Sequence, residues 1–126
     1  MRASIVLTAI AFLLGTAAAS HAAKLSSAAI YGSIAQRQAG CTIGNGGPTP
    51  VSVDAHIYDE SGNIVPASSS CNGPVEAGFI CQVFANIANG VAYACSVDIA
   101  GSAKFIRANL TLRDANEVPV RSIDLR

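Results

Sequence analysis

Cys95 sits at the centre of a seven-residue alternation, Tyr93-Ala94-Cys95-Ser96-Val97-Asp98-Ile99, in which Tyr93, Cys95, Val97 and Ile99 share one face and Ala94, Ser96 and Asp98 the other. A period of two is the mark of a half-buried strand. A cysteine on the buried face of such a strand points to a disulfide reaching across a β core. The other cysteines, Cys41, Cys71 and Cys81, bring the count to four. An even count in a small exported domain is read first as two bridges, and four cysteines allow three pairings. Zinc is the competing use, but the chain has no Cys-x-x-Cys pair, and the only histidine outside the leader is His56. The same lack of close spacing argues against a redox-active pair.

Export is read from the first residues. Arg2 supplies a positive start, Ile5 to Leu14 an apolar run, and Ser20-His21-Ala22 the small residues of a cleavage site. The run is too short to span a bilayer as a helix. Residues 1–22 are therefore expected to be a cleaved signal peptide and residues 23–126 one domain, with no stable membrane insertion afterwards. About 104 residues remain, enough for one core and too few for two. Without Arg2, seven basic residues face eight acidic ones, a formal charge of −1. No basic field is present to attract nucleic acid.

Strand and turn signals fill the rest of the chain. Lys24 to Ser33 reads as a tail or short edge strand. Gln36 to Ile43 places Cys41 and Ile43 on one face and ends at the Gly44-Asn45-Gly46-Gly47-Pro48-Thr49-Pro50 cluster, a connection rather than a phosphate loop because no helix start with Lys and Ser or Thr follows. Val51 to Tyr58 alternates without a break, with Val51, Val53, Ala55 and Ile57 inward. Asp59 to Asn63 turns it into a short return strand at Ile64-Val65-Pro66, kept at an edge by the proline. After the polar loop Ser68 to Pro74, Phe79 to Ala85 is a strand with Phe79, Cys81, Val83 and Ala85 on one face; Ile80 and Phe84 on the other face suggest cover on both sides. Asn89-Gly90 turns the chain into the Tyr93 strand, Lys104 to Arg113 alternates again, and Val118 to Arg126 forms a proline-interrupted edge. No segment outside the leader sustains a helical period. The expected fold is all-β, a single immunoglobulin-like antiparallel sandwich of about six or seven strands.

Strand parity selects the bridges. Cys41 and Cys95 both lie on apolar faces and are expected to join two strands through the core, leaving Cys71 and Cys81 to pair locally. On the chain-entropy model the long bridge contributes about 4 kcal/mol and the short one about 3 kcal/mol.

The succession of a leader, a strand ending in Cys41-Thr42-Ile43-Gly44-Asn45, the alternating Val51 strand with Asp59-Glu60-Ser61-Gly62, then Tyr93-Ala94-Cys95-Ser96-Val97 and Ile106-Arg107-Ala108 resembles small Sec-exported bacterial β-sandwich proteins. The likeness covers most of the exported chain. It implies a compartment, periplasmic or secreted, and a fold; it brings no activity with it.

Chemistry-bearing patterns are few. Ser52, Asp54 and His56 share the outward face of one strand and have the composition of a hydrolase triad. Residues two apart on a strand are about 6 to 7 Å apart, however, and a base must touch its nucleophile. Asp59, Glu60 and Glu117 sit in turns rather than as a glycosidase pair. Asp59, Glu60 and Asn63, or Asp114, Asn116 and Glu117, offer oxygens to calcium without matching a recognised loop. Asn109-Leu110-Thr111 fits a glycosylation acceptor, but in mid-strand, and no glycan is expected. Sugar stacking would rest on Tyr58, Phe105 and Tyr31.

The sequence therefore leads to a non-catalytic, cofactor-free module that binds an envelope or secreted protein or builds a structure, monomeric or weakly self-associating. The alternatives are a carbohydrate-binding domain and an inhibitor of a secreted hydrolase, the latter presenting the Gly44 to Pro50 or Ser68 to Pro74 loop. The Lys24 to Ser33 tail is the expected open edge, since the Ile64 and Val118 edges carry prolines.

Overall fold

A computed structural model describes residues 22–126; apart from Ala22, the expected signal peptide lies outside the described residues. The fold is all-β, with eight antiparallel strands: β1 (Ala23–Ser26), β2 (Gln38–Asn45), β3 (Val53–Asp59), β4 (Ser68–Ser69), β5 (Ile80–Asn86), β6 (Tyr93–Ile99), β7 (Ile106–Arg113) and β8 (Pro119–Asp124). Among the described residues no helix is long and apolar enough to cross a membrane. The strands form a three-stranded sheet, β1-β6-β3, and a five-stranded sheet, β4-β5-β2-β7-β8.

Alternation builds the space between the sheets. Ala39, Cys41, Ile43 and Asn45 of β2, Ala55 and Ile57 of β3, Cys81, Val83 and Ala85 of β5, Tyr93, Cys95, Val97 and Ile99 of β6 and Ile106, Ala108, Leu110 and Leu112 of β7 are all buried. Each is every second residue of its strand, so the period of two is spent on one shared core. The Cys41–Cys95 bridge crosses from β2 to β6, with Cα atoms 6.1 Å apart, and Cys71–Cys81 ties the loop after β4 to β5, with Cα atoms 5.1 Å apart. This is the pairing that strand parity selects.

Both open sides of the sandwich are laced by chain that leaves one sheet for the other. On one side Val65 donates to Ile57 O of β3 (2.8 Å), and three residues later Ser68 is in register with Phe84 of β5. On the other, Leu125 donates to Ala108 O of β7 (2.9 Å), and Arg126 and Ser26 of β1 exchange both backbone bonds, at 3.0 and 3.1 Å.

The strand count exceeds the expected six or seven because β1 and β4 are short pairings that no sequence period announces. Lys24 to Ser33 is no loose tail: β1 is the short edge strand of the three-stranded sheet, paired with β6 over four residues and closed on its outer side at Ser26 by Arg126, and Ile30 bridges to Tyr93. The return strand at Ile64 reduces to a single bridge with Tyr58, and Val51 joins Val75 rather than starting β3. Phe79 is 66% exposed, not inward. Its N–H still donates to Glu76 O in the turn carrying Gly78 at φ 79°, so strand geometry begins only at Ile80. Ile80 itself is 71% exposed, and no second layer covers that end of β5.

Candidate functional site

The outward face of the three-stranded sheet collects the polar side chains that the sequence singled out. In register, Asp54 of β3 lies beside Asp98 of β6, and His56 beside Ser96. Beyond β6, Lys24 and Ser26 of β1 face Asp98 and Ser96. His56 Nε2 approaches Asp54 Oδ1 at 3.1 Å, the two side chains leaning toward each other along the strand, and Lys24 Nζ lies 3.6 Å from Asp98 Oδ1. Two carboxylates placed directly opposite repel. Lys24 is the one lysine or arginine on this face to offset them, which leaves the face acidic.

Of the sequence-derived triad, the structure brings Asp54 and His56 together and leaves Ser52 apart, with no hydrogen bond to either. Ser96, opposite His56, points its Oγ at Ser26 Oγ, 3.4 Å away. No hydroxyl hydrogen-bonds to His56 among the described residues. The relay from base to nucleophile that acyl transfer requires is not formed here.

Beside this face the edge of β3 is open. In an antiparallel ladder, successive residues turn their backbone groups to alternate sides. Ser52 O accepts from Ala100 N on the β6 side (3.0 Å), so the even-numbered residues of β3 face β6 and the odd-numbered ones face away. Of the latter, Val51 exchanges two bonds with Val75, Ile57 O accepts from Val65, and Asp59 N donates to Asn63 O. Between these closures the N–H and C=O of Val53 and Ala55 and the N–H of Ile57 have no partner among the described residues. They border a cleft of about 370 Å³ between β3 and the 64–72 segment, lined by Ala55, His56, Pro66, Ala67, Cys71 and Val83. The Cys71–Cys81 bridge fixes its far wall.

The two loops nominated for inhibition are both held down. Asn45, at 2% exposure, donates its Nδ2 to Thr49 O (2.8 Å) and Val75 O (2.9 Å) and accepts from Gly47 N (2.9 Å). The Phe105 ring lies where a side chain at Gly47 would go, 2.9 Å from an added Cβ. The Ser68 to Pro74 loop lies along β5 through Ser70 N to Gln82 O (2.9 Å) and Gln82 N to Ser70 Oγ (2.9 Å). It does not project.

The calcium candidates spend their oxygens locally. Asp59 Oδ1 accepts from the N–H groups of Ser61 and Asn63, both at 2.9 Å, Asp114 Oδ1 from those of Asn116 (2.8 Å) and Val118 (3.0 Å), and Glu60 Oε2 from Ala92 N (3.1 Å). Among the described residues no group of three or more His, Cys, Asp or Glu is placed to hold a metal ion. Asn109 lies mid-strand on the outer face of β7, in register with Thr42 and Asp124. Tyr31 and Phe105 lie at opposite ends of the sandwich, Tyr31 beside the Ile30–Tyr93 bridge and Phe105 beside Gly46, so with Tyr58 they form no row.

Two buried polar residues escaped the sequence reading. Asn45 left a signal, since it continues the inward parity of Cys41 and Ile43. Gln36, fully buried, ties the 32–36 segment to the 88–91 turn by donating to Ala88 O (2.8 Å) and Val91 O (2.7 Å) and accepting from Gly32 N (2.8 Å). Nothing in its neighbourhood along the chain marks it. No family model, curated protein or solved structure matches this chain.

Proposed function

We propose that this protein is an exported, non-catalytic binding or structural accessory module of the bacterial envelope or its surroundings. The observation that carries the reading is the open stretch of β3, a strand edge facing a cleft between two closures of an otherwise laced sandwich. Unpaired edges are the part of a sheet that folded proteins usually block. Two disulfides support export, because such bridges persist in oxidising compartments.

The fold is read as immunoglobulin-like. Strands β2 to β6 take the places of B, C, D, E and F, with D-E-B in one sheet, C-F in the other and the B–F disulfide between them. The outer strands depart from that plan: β1 pairs with β6, where the last strand belongs, and β7 pairs with β2, where the first belongs. Sugar binding lacks an aromatic row to stack on, and inhibition lacks a projecting loop.

Affinity capture tests the reading. Oxidised protein is cross-linked in its native periplasm and culture fluid, with a reduced sample as control. Reproducible recovery of one envelope or secreted protein by the oxidised form alone is the expected result; recovery of background only would sink the proposal.

A further inference from the structure

Resting on the binding-module reading, we infer that the free edge of β3 accepts an extended peptide as an added strand, with a basic residue of the guest lying beside Asp54 between two residues that face the cleft. The backbone supplies the first half of the argument. Val53 and Ala55 each present a donor and an acceptor on the open side, whereas Ile57, fully buried, marks where that side closes. Two guest residues, two positions apart, complete such a pattern, as in strand addition to exposed sheet edges.

The side chains supply the second half. Guest residues opposite Val53 and Ala55 point inward, into the cleft walled by Pro66, Ala67, Cys71 and Val83. The residue between them points outward beside Asp54, whose side chain is 73% exposed and which already stands opposite Asp98. A lysine or arginine there relieves the repulsion between the two carboxylates, whereas an acidic residue adds to it. The other edges are unsuited. β8 carries Pro119, Arg121 and Asp124 along its length, β4 is two residues long, and β1, four residues long, carries Lys24 and is closed at Ser26 by Arg126. The free stretch of β3 holds no proline, glycine or lysine, the residues that blunt an edge.

The probe is acetyl-Thr-Ala-Lys-Val-Thr-amide, followed by amide hydrogen exchange on the oxidised protein. In the free protein the Val53 and Ala55 amides exchange much faster than those of Asp54 and His56, which are bonded to β6. Saturating peptide slows the edge amides by about tenfold or more, and replacing its lysine with glutamate, or methylating the alanine nitrogen, weakens binding by about tenfold. Asp54→Lys, an exposed change that leaves the fold intact, reverses the preference between lysine and glutamate.

Edge amides already as protected as Asp54 in the free monomer, or unmoved by millimolar peptide, overturn the inference. So does protection that rises with protein concentration alone, since the occupant is then a second copy. A partner captured equally by wild type and Asp54→Lys overturns the edge as the docking site but leaves the binding-module reading standing; capture lost in the variant supports both.

Discussion

Asp59 and Asp114 build the same turn twice. Each carboxylate accepts from the N–H groups two and four residues on; each backbone carbonyl accepts from the residue three on, Gly62 at 2.9 Å and Glu117 at 3.1 Å. The residue three on must adopt positive φ, and it does, Gly62 at 83° and Glu117 at 62°. Glycine takes this region freely and glutamate does not. Glu117→Gly is therefore expected to raise stability by about 1 kcal/mol, measured by urea unfolding, and a loss would show that the Glu117 side chain makes up for its backbone. The Asn63 N–H, with the Asn63 side-chain amide and the Ser61 N–H, holds the Asp59 carboxyl below the usual carboxylate range. A lowered folded pKa means stability present above the unfolded value and lost as pH falls through the folded one, so this contribution fades below about pH 4. The thermal midpoints of wild type and Asp59→Ala should differ at neutral pH and converge as the solution is acidified through that range. Asn45 makes the opposite case, a buried amide with two donor bonds and one acceptor bond. Asn45→Ala strands these partners and should cost about 2 to 4 kcal/mol. Asn45→Asp should cost more at neutral pH, where an oxygen meets the Thr49 and Val75 carbonyls, and should recover toward the alanine variant at low pH, where a protonated carboxyl can again donate.

At the scale of elements, the strands that read clearly in the sequence are those whose two faces differ. β3, β6 and β7 each show burial at every second residue, and β6 places Cys95 where parity put it. Short pairings left little or no trace, β1 only a weak edge signal and β4 none, because two residues of β4 or four of β1 are fixed by backbone bonds to a neighbour and not by their own alternation. The same reason hides the candidate site. Ala55 looks like any inward strand residue, and its open backbone edge depends on where the 64–72 segment crosses, which is tertiary information. Asp54 and His56 were legible as a pair on one face, but their contact with each other rather than with a serine was not. The Cys71–Cys81 bridge belongs to this scale, since it holds the cleft wall against β5. Replacing both with serine should cost about 3 kcal/mol, the entropy of a short loop. Amide exchange should rise first in Ser68 to Asn72 while the β2 and β7 amides stay protected; uniform loss of protection would mean that the loop is integral to the core.

The whole molecule depends on cross-linking because its core is small. A chain of this size buries little more than about three-fifths of its unfolded surface, and domains in this range have stabilities of about 5 to 15 kcal/mol. The Cys41–Cys95 bridge spans 54 residues and the Cys71–Cys81 bridge 10, so closure of the two loops contributes about 4 and about 3 kcal/mol. Their sum is comparable with the whole margin. The two lacings, Val65 to Ser68 on one side and Leu125 to Arg126 on the other, act only once the sheets are stacked and cannot replace a constraint on the unfolded chain. The sulfurs of Cys41 and Cys95 also occupy fully buried positions between β2 and β6, so reduction leaves two thiols packed where one bond stood. Reduction is therefore expected to unfold the protein, with the circular-dichroism strand signal lost cooperatively and the urea midpoint falling close to zero. Reducing the more peripheral Cys71–Cys81 bridge alone should lower that midpoint without abolishing the transition. A reduced protein with an unchanged midpoint would instead mean that the sheet-to-sheet backbone bonds, and not the cross-links, hold the sandwich closed.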